Sequence, residues 1–305
     1  MLRYVAQRLL WMVPVLLAVA AITFTLMHLV PGGPWDSERR LPPQAEENLN
    51  RKYGLDKPVW EQFAVYVGDF AQGDLGVSYR QLNRPVRDIL SDGAQVSFVL
   101  GGLALIVSTV LGISLGLLAA LRQNTLVDYA SVGLVTLGAS LPPFVTGMLL
   151  LVVFSAELHW LPTGGWGSPQ QTVMPVIALS LLPSAYIARI TRASMLEVLR
   201  QDYIRTARSK GLREQAIVFR HVVRNGLIPV LTVIGPVAAT LVTGSFIVES
   251  LFSIPGIGRS FVTSIGARDY GVIMGTTLFY TTIVVLANMA VDVLYVFVDP
   301  RIRYN

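Results

Sequence analysis

The stretch QVSFVLGGLALIVSTVLGISLGLLAAL, residues 95–121, contains 27 consecutive residues without a Lys, Arg, Asp or Glu. At a rise of about 1.5 Å per residue, a helix of this length exceeds the roughly 30 Å hydrocarbon core of a bilayer. Lipid offers peptide groups no hydrogen-bond partner, so a segment that crosses it must be helical. The stretch therefore predicts a transmembrane helix.

Five further charge-free stretches surround this one. The shortest has 17 residues, and Arg189 at its end can extend its charged group to the interface. The first is too long for the apolar region of a signal peptide, so we expect a retained helix. The sequence thus predicts an all-α membrane protein with six transmembrane helices. The five additional predicted spans are residues 9–30, 129–156, 172–188, 225–248 and 270–291.

The composition supports this class and excludes several others. Of the 305 residues, 53% are hydrophobic and only 14% are charged, whereas soluble domains carry about a quarter charged residues. There is no cysteine, and the three histidines are far apart in the sequence, so we expect no metal site. No phosphate-binding G-x-x-x-x-G-K-[ST] pattern occurs. We therefore expect no catalytic site and no cofactor in this chain.

The basic residues predict the orientation in the membrane. Residues 189–224 hold nine Lys/Arg against three Asp/Glu, and the two termini each carry two Arg. Of the short connections on the opposite side, 157–171 has no Lys/Arg and 249–275 has two. Short basic connections stay in the cytoplasm. We expect both termini and residues 189–228, called the basic segment below, to be cytoplasmic.

This topology divides the chain into four parts. Residues 31–94 carry eight basic and ten acidic side chains and are expected to fold outside the membrane, as a docking surface for another protein or as a stabilising lid. In that part Asp56 is a candidate cap of a helix whose apolar face is formed by Trp60, Phe63, Val67 and Phe70. The predicted parts are 1–30 (arm and first helix), 31–94 (external), 95–298 (five-helix core) and 299–305 (cytoplasmic tail).

The basic segment has the pattern of two helices separated by a glycine. Apolar residues recur at steps of three and four, and Gly211 interrupts the pattern. We expect a helix, a glycine turn and a second helix, with an apolar face that docks on a partner and a basic rim. The apolar residues are Leu196, Leu199, Tyr203, Ile204 and Ala207 in the first helix, and Ile217, Val218 and Val222 in the second.

The spans also contain small residues and prolines. Gly112 and Gly116, and likewise Gly271 and Gly275, have the four-residue spacing that lets helices approach closely. Prolines are expected to kink spans three to five. These are Pro142, Pro143, Pro183 and Pro236.

The nonapeptide IRTARSKGL, residues 204–212, resembles the coupling motif of permease subunits in binding-protein-dependent ABC importers. That motif has Glu-Ala-Ala, three residues and Gly; here Arg205, Thr206 and Ala207 precede Gly211. The Arg-Thr-Ala version is similar to the peptide-importer branch. Residues 221–224, HVVR, depart from the Ile-x-Leu-Pro that ends the general motif.

Other blocks along nearly the whole chain are similar to the oligopeptide class of these permeases. They are ERRLPP (38–43), GDLGVSY (73–79), LHWLPTGGW (158–166), IVESLFSIPGIGRSFV (247–262) and VDVLYVFVDPRIRY (291–304).

The resemblance implies a type I ABC importer permease fold in a bacterial inner membrane. It implies a second, homologous permease subunit, two cytoplasmic ATPases that bind ATP and Mg, and an external peptide-binding protein. In that family the basic segment contacts an ATPase and transmits its movement. The implied ATPase-coupling residues are Asp202, Tyr203, Ile204, Arg205, Thr206, Ala207, Arg208, Lys210, Gly211 and Leu212.

Several alternatives remain at this stage. The cargo of an ABC permease could be an oligopeptide, a dipeptide or a metal chelate. Asn288 and Asp292 lie on one face of the last span, which is compatible with a stand-alone proton-coupled carrier. The basic segment could bind anionic lipid in a non-transporting scaffold. Nucleic acid is not expected as a partner, because the segment offers no aromatic platform.

Overall fold

The structure is a computed structural model that describes residues 2–35, 42–81, 84–242 and 245–298. Within these ranges fourteen α-helices account for most of the chain, and two of them continue into π-helical segments, Leu151–Glu157 after α6 and Val218–Val223 after α9. The helices are α1 Leu2–Leu29, α2 Pro43–Lys52, α3 Val59–Ala71, α4 Val86–Leu121, α5 Leu126–Ala139, α6 Pro143–Leu150, α7 Pro169–Leu199, α8 Asp202–Ser209, α9 Glu214–Ile217, α10 Arg224–Gly226, α11 Ile228–Val242, α12 Phe246–Leu251, α13 Ile257–Ala267 and α14 Tyr270–Val298.

Four helices in the described part of the chain are long and apolar enough to cross a membrane unbroken. They lie in α1, α4, α7 and α14, as predicted for the first, second, fourth and sixth spans. The other two predicted spans, the third and the fifth, are bent pairs of helices. When each bent pair is counted as one span, the described residues contain six candidate spans, as predicted.

The predicted third span is broken between α5 and α6, which meet at 96°. The break contains Pro142 and Pro143, and Pro142 has the extended backbone angles φ −56° and ψ 146°. Proline lacks an N–H, and it forces the residue before it out of the helical conformation. The predicted kink at this position is therefore confirmed, and it is a sharp turn.

The predicted fifth span, 225–248, begins earlier and bends elsewhere than expected. Its helical course starts at Glu214 in the basic segment, and a 51° bend separates Glu214–Gly226 from Ile228–Leu241. The bend lies next to Pro229, whose missing N–H removes a helical hydrogen bond. By contrast, α7 and α11 continue as helices through Pro183 and Pro236.

The chain forms two compact units. The first comprises residues 1–97 and 255–286. Its core contains Phe24 and Met27 of α1 with Met274 and Leu278 of α14. Against this core pack Phe63, Tyr66 and Phe70 of α3. Trp60 is 73% exposed, and the residue that caps α3 is Pro58, with no side-chain hydrogen bond; the expected cap at Asp56 was wrong because the helix begins at Val59.

A buried carboxylate ties the GDLGVSY block to the start of α14. Asp269 is 3% exposed and accepts hydrogen bonds from the Ser78 hydroxyl, from the backbone N–H of Tyr79 at 3.0 Å and from that of Val272 at 3.4 Å. Such a group can be buried because several donors replace its water. Two distant sequence blocks are thereby joined.

The second unit comprises residues 98–254 and 287–305. In it α4 approaches α7 closely at two glycines. A methyl group added at Gly112 would lie 2.6 Å from Cβ of Ile187, and one added at Gly116 would lie 2.6 Å from Cβ of Thr191. In the first unit Gly271 and Gly275 likewise leave no room for a side chain against Val77 and Val86. The predicted close approach of helices is confirmed for Gly112 and Gly116. In the second pair Gly275 meets Val86 of α4, whereas Gly271 meets Val77, which lies outside the helices.

Three features of the sequence analysis fall outside the part of the chain that the structure describes. The side chain of Asp292, most of the ERRLPP block and the whole tail 299–305 lie outside the described residues.

We predict that Gly116→Ala destabilises the protein, whereas Gly102→Ala on the same helix does not. The added methyl at 116 meets Thr191 and a backbone oxygen, while nothing lies within 4 Å of a methyl at 102. Overpacking costs about 1–3 kcal/mol, and removing an unneeded helical glycine gains up to about 1 kcal/mol. Thermal unfolding midpoints of the purified variants measure the difference. Equal midpoints would show that α4 and α7 are not closely packed there.

Candidate functional site

The basic segment folds as the predicted helix, glycine turn and helix. Of the ten implied coupling residues, seven lie in α8, and Lys210, Gly211 and Leu212 form the turn that follows. The second helix runs from α9 through a π-helical stretch, Val218–Val223, into α10. The local structure of the segment was thus predictable from the sequence.

Gly211 occupies a left-handed turn with φ of +77°. The N–H of Leu212 donates to the carbonyl of Ala207 at 3.3 Å, and the N–H of Gly211 donates to that of Arg208 at 2.9 Å. These two bonds form a Schellman motif, which satisfies carbonyls at the end of a helix. No atom lies within 4 Å of a methyl group added at Gly211. The turn therefore requires glycine for its backbone angle and not for lack of space.

The apolar face of α8 is buried within the chain. Ile204 is fully buried and Ala207 is 7% exposed, and both pack in a cluster with Met195, Ile217 and Val222. The expectation that this face docks on a partner is therefore wrong. The reason is that the second helix of the segment and the end of α7 already cover it, which an amphipathic pattern does not reveal.

The outer surface of the segment is polar and basic. Of the ten residues, all except Ile204 and Ala207 are exposed, including Arg205, Arg208 and Lys210. Apolar side chains of the segment are also exposed, among them Leu212 at 44% and Phe219 at 69%. The surface open to a partner is therefore charged and carries a few exposed apolar side chains.

Two polar contacts hold the helices of the segment together. Across the glycine turn the guanidinium of Arg208 donates to Glu214 at 2.6 and 3.3 Å. At the other end of α8 the amide of Asn225 donates to the Tyr203 hydroxyl at 3.0 Å. Both pairs are exposed, so each adds little stability alone. Together with the buried cluster they hold α8 and its neighbours in one arrangement.

An ion pair between a buried carboxylate and a partly exposed guanidinium, not anticipated from the sequence, joins α7 to α5. The guanidinium of Arg192 donates through Nε and Nη2 to the two carboxylate oxygens of Asp128, each at 2.7 Å. Asp128 is 2% exposed and also accepts from the backbone N–H of Asn124 at 3.0 Å. The one available signal was an aspartate at the edge of the charge-free stretch 129–156.

The same part of α7 contacts the bend after the basic segment. The Ser194 hydroxyl donates to the carbonyl of Gly226 at 2.8 Å. A side chain at Gly226 would collide with the sulfur of Met195. The end of α7 is thus joined to α5 on one side and to α10 on the other. The contacts of α8 with the end of α7 are thus continuous with contacts to helices of the third and fifth predicted spans.

Comparison with known proteins identifies the family. Residues 112–304 match the model of the binding-protein-dependent transport system inner membrane component, and residues 1–91 match the model of the N-terminal part of such membrane components. The chain is 43% identical to the dipeptide transport system permease protein DppB of Bacillus subtilis over 305 residues, covering 100% of this chain and 99% of the relative. It is 42% identical to the oligopeptide transport system permease protein OppB of Escherichia coli K12 over 306 residues, covering 100% of both chains.

Solved structures support the fold. A chain of the inward-facing MetNI methionine ABC transporter aligns with a TM-score of 0.56 at 19% identity, over 69% of this chain and 96% of that one. A chain of an amino acid ABC transporter crystallised with histidines aligns with a TM-score of 0.54 at 16% identity, over 68% of this chain and 93% of that one. The expected type I ABC importer permease fold is confirmed. The chain belongs to the binding-protein-dependent transport system inner membrane component family and is a multi-pass permease subunit of an ABC transporter of the inner membrane.

Proposed function

We propose that this chain forms half of a pathway through which an ATP-driven importer takes up peptides. Full-length similarity to one dipeptide and one oligopeptide permease supports a peptide cargo. Their identities to this chain, 43% and 42%, favour neither peptide length. The metal-chelate alternative and the proton-coupled carrier gain no support from any described contact.

The complete importer would contain four kinds of component. The other half of the pathway would be a homologous permease subunit, which makes a heterodimer. Two cytoplasmic ATPases would bind ATP and Mg, and an external peptide-binding protein would deliver the cargo. Residues 31–94 would face that protein, and the five-helix core 95–298 would line the pathway. Both termini, including the tail 299–305, and the basic segment would be cytoplasmic, as the distribution of basic residues favours.

The observation that carries this proposal is the construction of the basic segment. Its exposed residues offer an ATPase a polar and basic surface with Leu212 and Phe219 as apolar contacts. Its buried residues join α8 to α7, and the Asp128–Arg192 pair joins α7 to α5. In this mechanism ATP binding closes the ATPases and displaces α8. The displacement passes through α7 to the bent span α5–α6, and the pathway opens.

Affinity purification from the native membrane tests the proposed assembly. We expect mass spectrometry to identify a second permease, two ATPase copies that carry the phosphate-binding loop, and peptide uptake after reconstitution of the purified complex. A chain that is recovered alone and transports peptide without ATP would contradict the proposal and favour proton coupling through Asp292.

Substitution of Gly211 tests the coupling role of the turn. A residue with a Cβ in the left-handed conformation costs about 1–2 kcal/mol, and Asn tolerates it better. We expect Gly211→Ala and Gly211→Leu to reduce peptide uptake per ATP hydrolysed to a similar extent, because space is not limiting. Gly211→Asn should retain most of the uptake. A graded loss that follows side-chain volume would contradict this account of the turn.

The Asp128–Arg192 pair is predicted to contribute more to stability than an exposed pair of the basic segment. Removing one partner leaves a buried charge unpaired, which costs about 3–5 kcal/mol. Arg192→Ala should therefore lower the unfolding midpoint strongly, and Asp128→Leu combined with Arg192→Met should lower it less. As a control, Arg205→Ala removes an exposed pair with Asp202, 3.8 Å apart, and should have little effect. Equal shifts for Arg192→Ala and Arg205→Ala would refute the prediction.

A further inference from the structure

An exposed groove lies on the second helix of the basic segment, within the second unit. Its lining consists of Phe219, Arg220, His221, Arg224 and Asn225. Arg220 and Arg224 are exposed, and no acidic residue lines the groove. Neither guanidinium makes an ion pair or a hydrogen bond with another described residue. These two residues are called the arginine patch below.

The charge of the arginine patch is not balanced by its neighbours. Between residues 200 and 226 the sequence contains two acidic residues, Asp202 and Glu214. Glu214 accepts hydrogen bonds from Arg208 across the glycine turn, and Asp202 lies 3.8 Å from Arg205. Both carboxylates are thus engaged with arginines of α8. The patch remains a local excess of positive charge.

The arginine patch lies where the basic segment enters the membrane. Ile228 begins the apolar half of the bent fifth span, and Arg224 and Arg220 precede it by four and eight residues. At about 1.5 Å per residue these separations along the helix are about 6 and 12 Å. A headgroup layer is about 5–8 Å thick, and an arginine can extend its charged group away from its backbone. Both guanidiniums can therefore reach the headgroups.

One exposed side of this helical course changes from basic to apolar at the bend. Four exposed residues follow at steps of four, four and three, which is the spacing of neighbours on one helical face. They are Arg220, Arg224, Ile228 and Leu231. Basic residues next to the cytoplasmic end of a span are typical of sites for anionic lipid. The pattern therefore favours a lipid headgroup beside the arginines and acyl chains beside the apolar residues.

Charge and position also separate lipid from protein partners. Cytoplasmic connections of membrane proteins are enriched in Lys/Arg, so the equivalent segments of a second permease are expected to repel the patch. An ATPase at the turn around Gly211 would meet the other end of the segment. The Arg208–Glu214 contact lies at that turn, whereas the Tyr203–Asn225 contact lies next to the membrane.

We propose that Arg220 and Arg224 bind the phosphate of an anionic phospholipid, such as phosphatidylglycerol. Guanidinium groups bind phosphate oxygens through charge-assisted hydrogen bonds, often two at a time. The acyl chains would lie along Ile228 and Leu231, while Phe219, at the far end of the groove, is not part of the site. A lipid bound there would fix the height of the bend relative to the membrane surface. The proposal depends neither on the cargo nor on the ATPases.

Photo-crosslinking from position 228 tests what covers this surface. The assembled transporter, with p-benzoylphenylalanine in place of Ile228, is irradiated in nanodiscs that contain equal amounts of phosphatidylglycerol and phosphatidylcholine. Mass spectrometry identifies the adducts. Each arginine near a bilayer surface favours an anionic lipid about fivefold, so phosphatidylglycerol adducts should exceed phosphatidylcholine adducts about twentyfold. Equal adducts of the two lipids, or adducts only with a second permease or an ATPase, would overturn the proposal.

Matched variants assign the lipid preference to the arginine patch. Arg224→Gln should lower the ratio of adducts about fivefold, and Arg220→Gln combined with Arg224→Gln should bring it close to one. As a control, Arg213→Gln removes an equal charge at the glycine turn, from an exposed residue that does not line the groove. It should leave the ratio unchanged. Equal losses in Arg213→Gln and Arg224→Gln would indicate general attraction to the membrane surface and would overturn the site.

Two further measurements separate this site from folding and from transport. The unfolding midpoint should be the same in the glutamine variants as in the parent, because exposed side chains contribute little to stability. The adducts form without ATP or peptide. A retained lipid preference in a transporter that takes up no peptide would therefore count against the proposed function alone. Equal labelling of the two lipids in a transporter with normal uptake would count against this site alone.

Discussion

The fold depends on the absence of water in the hydrocarbon core, where each peptide group needs a hydrogen-bond partner within the protein. Within a helix the peptide groups bond to one another, so this constraint matters most where a helix is interrupted. The 96° break at Pro142–Pro143 and the 51° bend beside Pro229 are such places. Proline has no N–H to leave unpaired, which is why these interruptions can be accommodated. Both bent spans contact the basic segment: the fifth continues from it, and the third is joined to it by the Asp128–Arg192 pair.

A second constraint is that helices in lipid need close packing in order to associate. Apolar side chains gain little by leaving lipid for a protein interior, so helices associate where small residues allow many van der Waals contacts. Gly112 and Gly116 provide such a surface on α4, and Gly271 and Gly275 provide one on α14. Two of the described polar contacts, at the buried carboxylates of Asp128 and Asp269, also join segments that are distant in sequence.

The sequence was sufficient to predict what depends on local pattern. Apolar length predicted the positions of the spans, and the glycine in the basic segment predicted its turn. The angle between α5 and α6 was not predictable, because proline determines where a hydrogen bond is missing but not how the two halves pack. Asp128 and Arg192 are 64 residues apart, and no local pattern pairs them. The apolar stripe of α8 was predicted to dock on a partner, because periodicity identifies an apolar face but does not tell whether the chain itself or a partner covers it.

That covered face has a consequence for assembly. Because Ile204 and Ala207 are already packed and the turn at Gly211 is already hydrogen-bonded, α8 does not have to fold when a partner arrives. Association then avoids the conformational entropy that ordering a loop would cost, and more of the contact free energy is left for affinity. The subunit can meet its partner as a preorganised body, with side-chain adjustments rather than a change of backbone.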